Sequence, residues 1–269
     1  VVYFPVVYFP VVYFPNSERL MTQLQGDAKQ RYVADLFARI SRRYDLMNTL
    51  MTVGMHHRWK RRTARITAQG LSGQALDIAT GTGDLAIELV RQPGVVCAVG
   101  IDLLPEMLAF ARAKARSRRL DDQVTLITGD ALALPFPDGV FACATAGFSL
   151  RNMPDLPRAL TEMTRVVRPG GRVTTLELTP LNSGFRSSLF RFYFHRLVPL
   201  MGQLIAGDRS AYTYLPQSVD HFLRADRLGD LFRQAGLVDV GHQMLGFGTV
   251  AIHHGIKPGG RRPDVSDPG

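Results

Sequence analysis

Cysteine is scarce in this chain of 269 residues: Cys97 and Cys143 are its two, and they lie in separate apolar runs. Such isolated cysteines offer no metal-ligand spacing, and no metal is expected. They read instead as buried apolar residues of a protein kept in a reducing compartment. No apolar run reaches the ~18 residues that a spanning helix needs. Acidic residues are in deficit, 23 against 32 basic ones, which leaves a net charge of +9. That excess suits an anionic partner, either nucleic acid or a membrane surface. Each basic cluster, such as Lys60-Arg61-Arg62 or Arg116 to Arg119, is equally well a solvated helix face. A Pro-Pro-Tyr-type base-binding run after the fourth strand is absent, as is any RNA-binding module, so no nucleic acid is expected.

The hydrophobic fraction of 46% is ordinary for a globular protein, and the length suits one α/β domain. Residues 1–15 are three copies of Val-Val-Tyr-Phe-Pro. Proline at every fifth position prevents a continuous helix, and the stretch has no basic n-region of a signal peptide. We expect it to be a translated repeat upstream of a start near Met21, outside the fold. The Pro/Gly/Arg-rich residues 258–269 are expected to be disordered. Residues 16–257 would then form the domain.

Within that span, 27–68 read as helical, with Leu36, Ile40, Tyr44 and Met47 on one face. A strand and helix alternation follows. Strands are expected at Ala75–Ala79, Val95–Ile101, Val124–Thr128, Val140–Thr145 and Arg172–Glu177. Helices are expected from Pro105 to Ser117 and from Asp155 to Val167. Beyond Thr179 the pattern gives an aromatic helix over 184–206, a loop from Asp208 to Pro216 and a helix over Arg224–Ala235. Two final strands, Val238–Leu245 and Thr249–His254, flank a glycine turn. The sum is a Rossmann-like α/β fold with a seven-stranded, mostly parallel sheet whose last strand is antiparallel.

The chain is organised around Leu76 to Ala86, LDIATGTGDLA. It reads as a buried strand end, a turn at Gly81 and Gly83, and a helix start. Glycine lets the backbone turn sharply and approach a ligand closely. Gly81-x-Gly83-x-x-Ala86 fits a dinucleotide loop and an S-adenosylmethionine loop equally well. Asp102, closing strand two, can accept hydrogen bonds from ribose hydroxyls of either cofactor. Asp130, after strand three, can reach an adenine amino group.

Several runs together resemble the ubiquinone/menaquinone biosynthesis C-methyltransferase family. They are YDLMN (44–48), GMHHRWK (54–60), GTGDLA (81–86), LPFPD (134–138), FSLRN (148–152), RPGGR (168–172), YTYLPQSV (212–219) and VAIHHGIK (250–257). The resemblance implies a class I methyltransferase fold, S-adenosylmethionine as donor and a prenylated quinol as acceptor. It places Gly81, Thr82, Gly83, Asp102, Asp130 and Ala131 at the cofactor, and Arg151 and Asn152 in the catalytic pair. The chain departs from the family pattern at His57, Ala142, Gly147 and Ser149. A lipid-tailed acceptor further implies a cytoplasmic enzyme in peripheral contact with the membrane's inner face. A homodimer is a further expectation. The rival readings are a methyltransferase for another small lipid or phenol, a nicotinamide oxidoreductase, and a non-catalytic scaffold.

Overall fold

A computed structural model describes residues 26–180 and 190–259; the fifteen-residue repeat and most of the C-terminal tail lie outside them. Three helices come first: α1 (Gly26–Ile40), α2 (Tyr44–Thr52) and α3 (Met55–Ala68). The expected single helical region is broken between α2 and α3 by two successive left-handed residues, Val53 (φ 48°) and Gly54 (φ 73°). Glycine accepts that conformation freely, whereas valine is strained by it.

The alternating part follows as β1 (Gly73–Ile78), α4 (Asp84–Val90), β2 (Val95–Asp102), α5 (Pro105–Ser117), β3 (Val124–Thr128) and β4 (Phe141–Gly147). It ends with α6 (Leu156–Val166) and β5 (Val167–Leu178). Asp155 caps α6 by accepting a hydrogen bond from the Arg158 amide at 3.0 Å, satisfying an orphan N–H of the first turn. The central strands β1 and β4 are apolar and buried along nearly their whole length, as strands covered on both faces must be. Leu76, Ile78 and Ala144 anchor the main core.

Helical residues 190–206 (α7) contain π-type turns at Tyr193–Leu197 and Gly202–Ala206. The expected loop at 208–216 is instead helix α8 (Arg209–Asp220), with Pro216 inside it. The Asp208 carboxylate caps it, accepting from the Ala211 amide at 3.0 Å. Tyr212 and Tyr214 are buried along this helix, and that burial outweighs the one backbone hydrogen bond that proline removes. Helix α9 (Ala225–Gln234) leads to β6 (Val238–Leu245) and β7 (Val250–Ile256).

The seven strands lie in the order β3-β2-β1-β4-β5-β7-β6. Only β7 runs antiparallel, inserted between β5 and β6. Helices α1, α2, α7 and α8 share an apolar cluster of their own, with Leu36, Ile40, Met47, Phe194 and Val198 at its centre. They form a cap beside the sheet. Cys143 is buried as expected, but Cys97 is only half-buried.

Candidate active site

The strand order reverses between β1 and β4, and ligands of open α/β sheets bind beyond the carboxyl ends at such a point. The backbone there is unusual. Ala79, just past β1, has φ 50°, and Phe148, just past β4, has φ 57°. Left-handed backbone costs a non-glycine residue roughly 1–2 kcal/mol, and such strain gathers at ligand sites.

Two cavities meet at this place. The smaller, about 140 Å³, is lined by Gly81, Asp102, Asp130, Ala131 and Asn152 among others. The larger, about 640 Å³, is mainly apolar and includes Trp59, Arg151 and Tyr193 in its wall. Phe37, Tyr44 and Phe148 line both, so these three aromatic residues mark the partition.

Asp102 holds the floor of the smaller cavity. Its carboxylate accepts from the Gly81 amide at 2.7 Å and from the Leu104 amide at 3.0 Å. The Leu103 amide adds a third backbone donor, which leaves one of the carboxylate's roughly four acceptor sites for a further donor. Burial raises its pKa, against the backbone amides that lower it. Asp130 accepts from the Leu132 amide at 2.9 Å and from Gln30 Nε2 of α1 at 3.0 Å. Lys29 of the same helix donates to the carbonyls of Arg151 and Met153, both at 3.0 Å. The cap is thus tied to the loops after β3 and β4.

Thr82 and Gly83 do not line the smaller cavity. Gly83 (φ 80°) lies so close to α5 that a Cβ on it would come within 2.9 Å of Ala111 Cβ. Its role is packing the turn against that helix. Thr82 donates to Asp45 Oδ1 at 2.7 Å and accepts from Lys114 at 2.9 Å. Lys114 also reaches Asp45 Oδ2 and Asp84 Oδ1, both at 2.7 Å, while Lys60 reaches Asp84 Oδ2 at 2.8 Å. Burial opposes charge on Asp84, but Lys60 and Lys114 outweigh it and hold the carboxyl well below the usual range. This network fastens α2, α3 and α5 to the glycine turn.

The ligand atoms of His56, His57 and Asp84 lie within 4.8 Å of one another. Asp84 already carries two ammonium groups there, so the cluster is an ion-pair network that repels a metal cation. Thr52 Oγ1 donates to the Asn48 carbonyl at 2.6 Å, so it accepts from His56 Nδ1, 2.8 Å away. Burial, with Lys60 adding to it, pushes the His56 imidazole down to about 4 and keeps it neutral.

Arg151 and Asn152 sit in a short helical turn after β4. Arg151 Nη1 pairs with Glu177 Oε1 at 2.6 Å and donates to the Phe148 carbonyl at 2.7 Å. Its Nε donates to Ser218 Oγ at 3.3 Å. The Nη2 hydrogens have no partner among the described residues. Asn152 accepts from the Tyr214 hydroxyl at 3.1 Å. Arg151 therefore faces the larger cavity and Asn152 the smaller, on either side of the partition.

Sequence reasoning missed Lys60, Asp84 and Asp45 as a network, although all three stand inside the quoted motifs. Nothing in the sequence marked Lys114, Glu177 or Lys29. Asp77 was also missed. Fully buried at the end of β1, it accepts from Thr80 Oγ1 (2.6 Å), Thr145 Oγ1 (2.9 Å) and the Ala86 amide (3.0 Å). Burial pushes its carboxyl up to about 6 despite these donors. A raised folded-state pKa adds stability below the unfolded value near ~4 and loses it as pH climbs past the folded one. We expect stability to decline by about 3 kcal/mol through this group between about pH 4 and 6. The Asp77 carboxyl carbon resonance should titrate near pH 6, and a midpoint below 4 would disprove the shift.

A seven-stranded sheet with one antiparallel strand, and a crevice at its switch point beside a larger apolar chamber, has the architecture of a class I methyltransferase. That class takes its methyl group from S-adenosylmethionine. The profile of the ubiE/COQ5 methyltransferase family matches residues 25–257, and the chain belongs to that family. It is 44% identical over 224 residues to a demethylmenaquinone methyltransferase of Thermus thermophilus, covering 83% of this chain and all of that one. It is 40% identical over 225 residues to the ubiquinone/menaquinone biosynthesis C-methyltransferase UbiE of Desulfotalea psychrophila, covering 84% and 90%. Among solved structures, a possible histamine N-methyltransferase of Thermotoga maritima superposes with a TM-score of 0.59 at 18% identity, covering 83% and 99%. A Haemonchus contortus phosphoethanolamine N-methyltransferase with bound S-adenosyl-L-methionine gives 0.55 at 13% identity, covering 75% and 52%. These two share the fold.

Proposed function

We propose that the chain methylates a ring carbon of a prenylated quinol in respiratory quinone biosynthesis, either demethylmenaquinol or a polyprenyl-methoxy-benzoquinol. The observation that carries this reading is the apolar chamber of about 640 Å³ placed across an aromatic partition from the cofactor crevice. The names of the curated relatives point the same way.

The residues of the smaller cavity fit S-adenosylmethionine. Asp102 keeps one acceptor site free of the backbone amides for a ribose hydroxyl. Asp130 and Ala131 stand beside an apolar wall that includes Leu103 and Leu132, suited to an adenine ring. The partition rings suit a sulfonium cation, which their π-faces attract. The bound donor supplies an electrophilic methyl group. The chain's own task is to align the acceptor carbon and raise its electron density.

Arg151 does that work in this reading. A guanidinium stays protonated, and its Nη2 hydrogens are assigned to a quinol oxygen, directly or through a water. A phenolic hydroxyl ionises near ~10, and a cation in hydrogen-bond range lowers that by roughly 1–3 units. The phenolate form pushes electrons onto the ring carbon. Asn152, positioned by Tyr214 on the cofactor side, is the second member of the proposed pair and would meet the acceptor where the two cavities join.

Labelled S-adenosylmethionine with reduced quinols of both classes tests the assignment; label in neither product would refute it. Asp102→Ala should weaken cofactor binding by about tenfold to a hundredfold, the value of a hydrogen bond to an ionised carboxylate. Unchanged affinity in calorimetry would remove Asp102 from the site. The reading also includes peripheral contact with the inner face of the membrane, and a homodimer, which sedimentation checks. Among the described residues no helix is long and apolar enough to cross a membrane.

A further inference from the structure

The mouth of the larger cavity carries exposed apolar side chains. Val53 is 87% exposed and Phe247 90% exposed, yet both line the chamber. Each sits on left-handed backbone, at φ 48° and 56°. Bulky side chains rarely take that conformation, and here it turns them outward at the two lips of the opening. Leu46, Leu50 and Met55 extend the exposed apolar surface along α2 and the start of α3.

Helix α3 carries a second feature. Arg58, Arg61, Arg62 and Arg65 fall at i, i+3, i+4 and i+7, one face of a helix. All four are exposed, whereas His56, Lys60, Thr63, Ala64 and Thr67 of the same helix are buried. The arginines border an open groove of about 540 Å³ whose wall has no acidic side chain. Met55 and Trp59 belong to both this groove and the larger cavity. Arg61 reaches Glu88 only at 3.7 Å, and Arg62 Nε is used by Gln243 at 3.1 Å. Arg58 and Arg65 have no acidic partner among the described residues.

We propose that the arginine face of α3 and the Val53–Phe247 lip together dock on a bilayer containing anionic phospholipid, placing the mouth of the larger cavity against the lipid. The apolar side chains enter the acyl boundary, and the arginines meet the headgroup phosphates beside them. A cation near such a surface gains on the order of 1 kcal/mol. The single contiguous surface joins the two halves that interfacial binding needs, buried apolar area and opposite charge. This rests on the quinol reading for its purpose, but its test requires no quinol.

The full chain is sedimented with vesicles of phosphatidylcholine alone and with added phosphatidylglycerol. Binding should favour the anionic vesicles and weaken in raised salt. Arg58→Glu with Arg65→Glu should weaken it by about tenfold or more, with melting temperature and S-adenosylmethionine affinity unchanged. Phe247→Asn and Val53→Asn should weaken binding as well, since asparagine tolerates the left-handed backbone. Turnover of a short-tailed, water-soluble quinol should be unaffected by the arginine substitutions. Vesicle binding without methylation of any quinol would keep the docking surface and reject the quinol reading. Equal binding to both vesicle types, or binding indifferent to the arginine substitutions, would overturn the proposal. A solution dimer that Phe247→Asn dissociates would also overturn it, by assigning the lip to a second copy.

Discussion

Arg151→Ala should lower turnover at least ~100-fold, the scale of a lost oxyanion donor, with little change in cofactor affinity. The same substitution should cost about 3–5 kcal/mol of stability, because it leaves Glu177 buried without its partner. Two effects from one change need separating. Replacing both members, Arg151→Met with Glu177→Met, removes the pair rather than breaking it, and such swaps are often near neutral in stability. The double variant should therefore melt close to the wild type and still turn over at the rate of Arg151→Ala. Part of the lost rate should return at high pH, where the quinol ionises unaided. A double variant that recovered both stability and turnover to within threefold of the wild type would show that Arg151 is a strut and nothing more.

The second large effect concerns Asp84. Its carboxylate sits between Lys60 and Lys114, and Lys60 is buried. Asp84→Ala leaves the buried Lys60 with no carboxylate partner, while Lys114 keeps Asp45, and should cost about 3–5 kcal/mol. The pH dependence has a definite sign. Asp84 is depressed in the folded state, so its contribution is complete above the unfolded value near ~4 and is lost as pH falls below that. Acid unfolding of the wild type should thus be steeper than that of Asp84→Ala, measured by circular dichroism against pH. Because the network also holds Thr82 and Asp45, cofactor affinity should fall with stability. A variant within about 1 kcal/mol of the wild type, an ordinary single-site effect, would show that the lysines find other partners.

Much of the alternating core was legible because period and punctuation agree there. Val124–Thr128 was read at its observed bounds, and β1, β2 and β4 within two residues at either end. Strand β5 begins at Val167, ahead of the expected Arg172, because proline and two glycines at 169–171 are local turn signals. In the structure the chain stays paired through them, with the Gly170 amide donating to the Lys257 carbonyl at 2.8 Å. Helix α8 was hidden because Asp208, Ser210 and Pro216 carry local turn signals, while the burial of Tyr212 and Tyr214 is a tertiary matter. At the site, the glycine turn and the carboxylates after β2 and β3 follow from fold logic, and Gly81, Asp102 and Asp130 line one cavity. The bonds of Thr82 to Asp45 and Lys114 were not legible, since both partners lie far away in sequence. The balancing charge of Glu177 on Arg151 was invisible for the same reason.

The three rings of Phe37, Tyr44 and Phe148 have one more consequence, for the order of events in a catalytic cycle. The larger chamber is lined by the exposed Val53 and Phe247, while the smaller one is lined by a different exposed residue, the 40% exposed Leu103. Each ligand has its own door. With separate openings, initial-rate kinetics should follow a random order; product-inhibition patterns of a compulsory sequence would refute this. On the proposed quinol reading, spent cofactor would then be replaced while a long-tailed acceptor stays where it is.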